Sequence, residues 1–376
     1  MLGSLGDGAV DPAWEAELQT MLGSALVATE GWASAHAEQA FLRARELAER
    51  SGVDEARAKA TFNLGTLYET QGDYRRSEAL LQESLAHSRT ASSPSAAVGS
   101  HAFLACSLFH QGEFDRALES AERGLEVFDG VHTNPLTAAH GDNPGVSCHL
   151  WAALSLWFLG HPDRARERAE RAVAFAEDPR RRHGLAMALC QAAVVSQLCL
   201  DAGATLRWAD AALDAALDGG FQYRLAMGTV LRGWARAVRG APDEGIAELR
   251  RGLEMSRATG ARMDEAYYLG LLADACIDAG RTAEAVATLR LALDAVPRGG
   301  RFFWGAELNR LLGVALLAGG EAEEGEARLR RALEVAREQR SPMLELRAAV
   351  SLARLLPDGV GRGEARGLVA TAYGRL

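Results

Sequence analysis

The chain has 376 residues, a formal net charge of −9, 48% hydrophobic and 24% charged residues. With Lys59 as the sole lysine, that balance excludes a broad nucleic-acid surface, which needs clustered basic residues. No apolar run reaches membrane length, alternating Val/Ile/Thr runs are too scarce to build sheets, and the five cysteines form no paired framework, which points to a reducing cytoplasm.

Residues 1–11 read as a flexible lead-in, without a basic segment followed by an apolar one, and residues 12–376 as one continuous array. Helical spacing begins near Trp14, with Leu18, Leu22 and Leu26 recurring every four residues. A second helix is predicted from about Trp32 to Glu49, stopped by Ser51-Gly52. From there interhelix turns fall at 72, 112, 160, 200, 240, 280, 320 and 360, every step 40 residues except the 48 between 112 and 160. Glycine marks most of them, as a helix ending on a left-handed residue requires; Leu200 and Val360 hold the frame without it.

The eight extra residues lie in a loop at about 129–145. Such an insertion on a repeat scaffold can serve binding. In the plainer reading, Asp142 or Asn143 caps the next helix with Pro144 in its first turn.

Between Gly240 and Leu333 one unit is written three times. Small residues fall in register at Gly245, Ala285 and Gly325, seven later at Gly252, Ala292 and Ala332, and twelve earlier at Gly233, Ala273 and Gly313. Twelve residues cross a turn between two helices, and seven are two turns down the second, so these positions let paired backbones approach closely. A unit of this kind cannot bury its apolar face alone and must stack. The expected fold is all-α, a superhelical solenoid of about nine antiparallel helix pairs.

Spacings of twelve and seven resemble the small-residue pattern of tetratricopeptide repeats, although forty residues exceeds their usual period of roughly 34. Asn63-Leu64-Gly65-Thr66-Leu67-Tyr68 and Gly72-Asp73-Tyr74 keep more of that pattern. The resemblance implies a right-handed superhelix whose first helices line a concave groove. Over nearly its whole length the chain is also similar to the C-terminal repeat region of bacterial regulators that join a class III nucleotide cyclase, or another effector, to a signalling-type ATPase. That likeness is carried by Ala35–Leu47, Gly141–Val146, Ala226–Ala235, Arg301-Phe302-Phe303 with Ala306-Glu307-Leu308, and Leu344–Leu355. It implies such a repeat region, within a longer protein or standing alone, with an upstream ATPase or cyclase module as one possible partner.

By the repeat frame the groove lining comprises Lys59, Phe62, Trp157, Met227, Trp234, Tyr267, Asp274, Glu307 and Arg310. Aromatics flanked by charges anchor bound segments, and the same aromatics also serve packing between repeats. Arg232 and Arg236 stand where other repeats carry Leu64, Tyr68, Leu104, Leu108, Leu272, Leu312 and Leu316. They either meet a buried carboxylate or face an anionic partner.

Signs of catalysis are few. No glycine precedes the lone lysine as a phosphate loop demands, and His-Glu-x-x-His, Cys-x-x-Cys and Gly-x-Ser-x-Gly are absent. His132, His140, Asp142, Cys148 and His149 gather near the inserted loop, but their spacing fits no metal-ligand pattern. No cofactor is expected. The sequence favours a non-catalytic scaffold that binds a protein or peptide in its groove. A small-molecule sensor, as in ATPase-type transcription activators, is the alternative, ahead of an enzyme using His140, Asp142 and His149. A homodimer is compatible with either.

Overall fold

The computed structural model describes residues 11–31, 34–91, 94–129, 144–176, 182–296, 302–355 and 360–376. Among them eighteen helices follow one another. The first nine are α1 (Pro12–Glu30), α2 (Ala35–Ser51), α3 (Asp54–Thr70), α4 (Tyr74–Thr90), α5 (Pro94–His110), α6 (Phe114–Asp129), α7 (Pro144–Phe158), α8 (Pro162–Ala176) and α9 (Arg182–Leu198). The others are α10 (Ala202–Gly219), α11 (Gln222–Val238), α12 (Pro242–Ala258), α13 (Glu265–Asp278), α14 (Thr282–Ala295), α15 (Gly305–Ala318), α16 (Ala322–Glu338), α17 (Pro342–Leu355) and α18 (Val360–Tyr373). No helix among the described residues is long and apolar enough to cross a membrane.

Local chemistry sets the boundaries. Asp11, Ser34, Asp73 and Asp201 each accept a hydrogen bond from a backbone N–H in the first turn of the following helix. Pro144 opens α7, as the plainer reading of the loop required; Asp142 and Asn143 lie outside the described residues. At 72, 112, 160, 240, 280 and 320 glycine takes a positive φ. The next N–H then reaches back to a carbonyl of the last helical turn, as in Asp73 N to Tyr68 O at 2.8 Å and Glu321 N to Leu316 O at 2.9 Å. Leu200 adopts the same left-handed geometry, φ 58°, with Asp201 N bonded to Ser196 O. The frame breaks only at its end: Val360 is already helical, and the preceding 356–359 lie outside the described residues.

The small residues act through backbone contact. A Cβ built on Gly245 would stand 2.6 Å from both Gly233 O and Ala237 N, and one on Gly233 only 2.9 Å from Gly245 O. Gly313 and Gly325 face each other in the same way in α15 and α16. Ala273, Ala285, Ala292 and Ala332 hold the equivalent places and are fully buried.

The two helices of each pair differ in surroundings. α7 is buried along nearly its whole length, whereas α12 buries one stripe through Ile246, Leu249 and Leu253 and turns its arginines outward. First helices therefore form the inner layer and second helices the outer one.

The superhelix winds far enough to meet itself. Tyr74 OH donates to Met263 O at 3.3 Å across 189 residues, and Ser341 Oγ to Phe158 O at 2.7 Å across 183. Arg262 N approaches Thr70 O at 3.4 Å, and Phe303 N donates to His110 O at 3.0 Å. Successive coils thus stack on a seam, and the inner-helix aromatics Trp157, Trp234 and Tyr267, expected along a groove, are buried between them.

Two substitutions test this geometry. Leu200→Gly is expected to stabilise the chain by about 0.5–1 kcal/mol, since Leu200 is largely exposed and its left-handed backbone strains a side chain. Gly245→Ala is expected to cost about 1–3 kcal/mol through overpacking against backbone that cannot move aside. Urea unfolding followed by circular dichroism measures both.

Candidate binding lumen

Two polar networks form among the inner helices, and six of the groove residues expected from sequence converge in one of them. Trp234 Nε1 donates to Asp274 Oδ2 at 3.1 Å, joining α11 to α13. Burial opposes the Arg310 charge, but Glu307, gripped through two bonds of 2.6 and 3.0 Å, and then Asp274 raise its pKa. Arg347 of α17 reaches the same Glu307 carboxylate at 3.1 Å and sets its guanidinium 6.0 Å over Trp157 and 5.9 Å over Trp304. Tyr267 meets Trp304 edge-on at 5.3 Å and donates to Gln197 Oε1 at 2.8 Å. Burial would raise the Glu307 pKa, but the charges of Arg310 and Arg347 outweigh it and hold the carboxyl below its ordinary value. Burial lowers the Arg347 pKa, an effect the Glu307 charge opposes.

The second network joins α3, α5, α11 and α13. Asp264, at the N-cap of α13, caps nothing with its side chain. It accepts from Tyr223 OH instead, and His110 Nε2 lies 3.5 Å away. Burial opposes its charge, yet the bonds to His110 and Tyr223 and the nearby Arg224 keep its pKa below the usual value. His110 stacks on Tyr74 at 5.0 Å, and Arg224 lies 5.2 Å over the Tyr223 ring. Glu69 of α3 is 3% exposed. Burial pushes its carboxyl up to about 8, with the Asp264 charge adding to the rise while hydrogen bonds with Cys106 and Ser107 oppose it.

Several buried polar atoms in these networks have no hydrogen-bond partner: Glu69 Oε2, Arg224 Nε, Trp304 Nε1 and Arg347 Nη1. Each such atom costs about 1–3 kcal/mol in a closed interior. An aromatic cluster packs between coils, where Phe303 sits 4.9 Å from Phe109 and Phe114 stacks on Phe158 at 4.3 Å.

The remaining expected residues lie elsewhere. Lys59 is half-exposed and paired with Glu17 at 2.7 Å; Phe62 meets Phe103 edge-on at 5.3 Å; Met227 is buried in the main core. Arg232 and Arg236 share one buried carboxylate, Glu248, at 2.7 and 2.9 Å, which fixes them between α11 and α12. Trp157, Trp234 and Tyr267 are enclosed by the stacked coils and not exposed along an open groove. His132, His140 and Asp142 lie outside the described residues. His149 is buried with Arg168 Nη1 3.3 Å from its ring, an unsuitable neighbour for a metal ion, and burial raises the Cys148 thiol pKa. All five thiols are free.

Sequence reasoning missed Glu69, His110, Tyr223, Arg224, Asp264 and Arg347. Glu69 and Arg347 carried a usable signal, an ionisable side chain inside an inner helix. Asp264 carried a misleading one, because an Asp just before a helix reads as an ordinary cap.

Comparison with known proteins agrees with this architecture. A tetratricopeptide repeat family model matches residues 60–95. A Rap protein complexed with competence and sporulation factor superposes with a TM-score of 0.59 at 11% identity, over 87% of this chain and 99% of that one. The Rap conjugation gene regulator of plasmid pLS20, in complex with the Phr* peptide, gives 0.59 at 9% identity over 96% and 95%. A signal transduction ATPase with numerous domains and a tetratricopeptide repeat sensor, from Pyrococcus horikoshii, gives 0.50 at 15% identity, covering 96% of this chain and 53% of that one. No curated protein matches the sequence. The fold is a tetratricopeptide-like helical solenoid.

The state of Glu69 makes stability depend on pH. Unfolded, it ionises near 4.5; folded, it keeps its proton to about 8. The unfolded chain releases this proton first, so the contribution falls as pH rises from about 4.5 to about 8 and then levels. Glu69→Gln is expected to flatten that slope and to gain on the order of 3 kcal/mol at pH 7, read from urea midpoints at pH 5, 7 and 9.

Proposed function

We propose that this chain is a non-catalytic regulatory module that takes a peptide segment into its lumen and thereby controls an effector. The observation carrying this reading is the set of buried polar atoms without a hydrogen-bond partner inside the superhelix, at Glu69, Arg224, Trp304 and Arg347. An extended backbone offers donors and acceptors along its whole length, and so suits a wall that needs both. Two of the structurally similar proteins were solved with a peptide or sporulation factor bound, which supports the same reading.

The effector we propose is an ATPase or nucleotide cyclase module, acting in cis or in trans. The ATPase choice draws on the likeness to the repeat sensor of a signalling ATPase, and the cyclase choice on the sequence resemblance alone. Occupancy would act through the seam: a ligand between the coils shifts the balance between closed and parted coils by its differential affinity for the two. A second reading, a small-molecule sensor, is favoured by the enclosure of Trp234 and Tyr267.

Titration with a short-peptide library and with a metabolite library, followed by tryptophan emission, separates these readings. Trp157, Trp234 and Trp304 are buried inside the superhelix, so an occupant that enters among them shifts their emission. Peptide-dependent shifts that disappear in Arg347→Met support the first reading, and shifts from metabolites alone support the second. The absence of both overturns the lumen as a binding site.

A further inference from the structure

We infer that α1 carries a self-association surface, through which two copies of this chain pair as an antiparallel two-helix seam. In the next repeat, α3 has a face reserved for the repeat before it. There Ala56 and Ala60 gather with Ala44, Leu47 and Ala48 of α2, and Leu64 and Leu67 gather with Phe41. Gly23 of α1 meets Phe41 of its own pair as Gly65 of α3 meets Leu81, which sets the correspondence between the two helices. Trp14, Leu18, Leu22 and Ala25 then stand where α3 has Ala56, Ala60, Leu64 and Leu67, and Met21 stands where it has Asn63. Ala60, Asn63, Leu64 and Leu67 are all buried, whereas Trp14, Met21 and Leu22 are 54%, 62% and 46% exposed. Among the described residues no helix precedes α1, so its stacking face stands open. The end repeats of soluble arrays are ordinarily polar on that face.

The face suits a second copy of itself. Trp14, Leu18, Met21, Ala25 and Ala28 follow one another at spacings of four, three, four and three, the heptad pattern of a two-stranded coil. No charged side chain occurs from Leu18 to Thr29, so nothing repels across a twofold axis. The acidic residues just before this stretch are engaged within the copy, Glu15 with Arg43 at 3.5 Å and Glu17 with Lys59 at 2.7 Å.

Side-chain size selects the direction. A parallel pair would set Trp14 on Trp14 and Ala25 on Ala25, a wedge that cannot close evenly. Antiparallel pairing sets each Trp14 over the partner's Ala25 and each Leu18 against the partner's Met21, with large and small alternating along the seam. Such a seam buries on the order of 1,000 Å² in all, the low end for a specific interface, so the pairing is reversible and micromolar. It is independent of whether the chain binds a peptide.

Sedimentation equilibrium of the whole chain between about 1 and 100 μM tests the surface, and a reversible monomer–dimer equilibrium is expected. Met21→Glu changes a side chain that is already exposed; it should weaken the dimer about tenfold or more and leave the thermal melt unchanged. Two double variants, Leu18→Glu with Met21→Glu and Leu18→Lys with Met21→Lys, should each be monomeric alone. Mixed, they should form a heterodimer, because each Leu18–Met21 layer then joins opposite charges. A chain that stays monomeric throughout this range overturns the inference, as does a dimer that Met21→Glu leaves intact. Open-ended polymers would show repeats stacking head to tail and would overturn the twofold pairing.

Discussion

The architecture depends on how closely paired helices can approach. In α11 and α12 the carbonyl of Gly233 and the amide of Ala237 occupy the space where any Cβ on Gly245 would sit. That contact fixes the angle and separation of the pair, and its counterparts at Gly313/Gly325 and Ala273/Ala285 carry the geometry onward. A small rotation per repeat, applied with little variation, accumulates into a coil tight enough to close on itself. The seam is a product of that accumulation, since no single repeat contains it.

Closure changes what the inner helices are worth. An open concave surface can leave carboxylates and guanidinium groups in water at little cost, but a closed one removes that solvent. The chain answers the problem differently at its two networks. At Glu307 the carboxylate is held ionised by two guanidinium groups, Arg310 and Arg347, and Asp274 supplies a further negative charge near Arg310. At Glu69 the balance is incomplete, and the carboxyl avoids the cost by keeping its proton. One network is built as structure, and the other is poised.

Much of the fold was legible because its determinants are local. A turn glycine, the small residues twelve and seven apart, and an Asp before a helix each act within one repeat, and the frame they set holds as far as 320. Leu200 shows the strength of the frame: the turn forms there in left-handed geometry without the residue that favours it. The site was less legible. Trp157, Trp234, Tyr267, Asp274, Glu307 and Arg310 follow from the inner-helix register and do come together. Glu69 and Asp264 meet because coils stack between the segments around Tyr74 and Met263, and no periodicity of forty encodes how many repeats complete one coil. Arg232 and Arg236 broke the apolar pattern for a reason the pattern cannot show, a buried Glu248 one helix away.

A linear array ordinarily melts as a sum of neighbouring units, so its ends can fray while its middle persists. The seam removes that independence. With Phe303 bonded to the last turn of α5 and Ser341 to the end of α7, repeats from the two halves of the chain become mutual neighbours. The array then behaves as a loop of contacts with no free middle, and unfolding of either half exposes apolar surface on the other. Cooperativity, usually lost as repeats are added, is restored by the coil meeting itself.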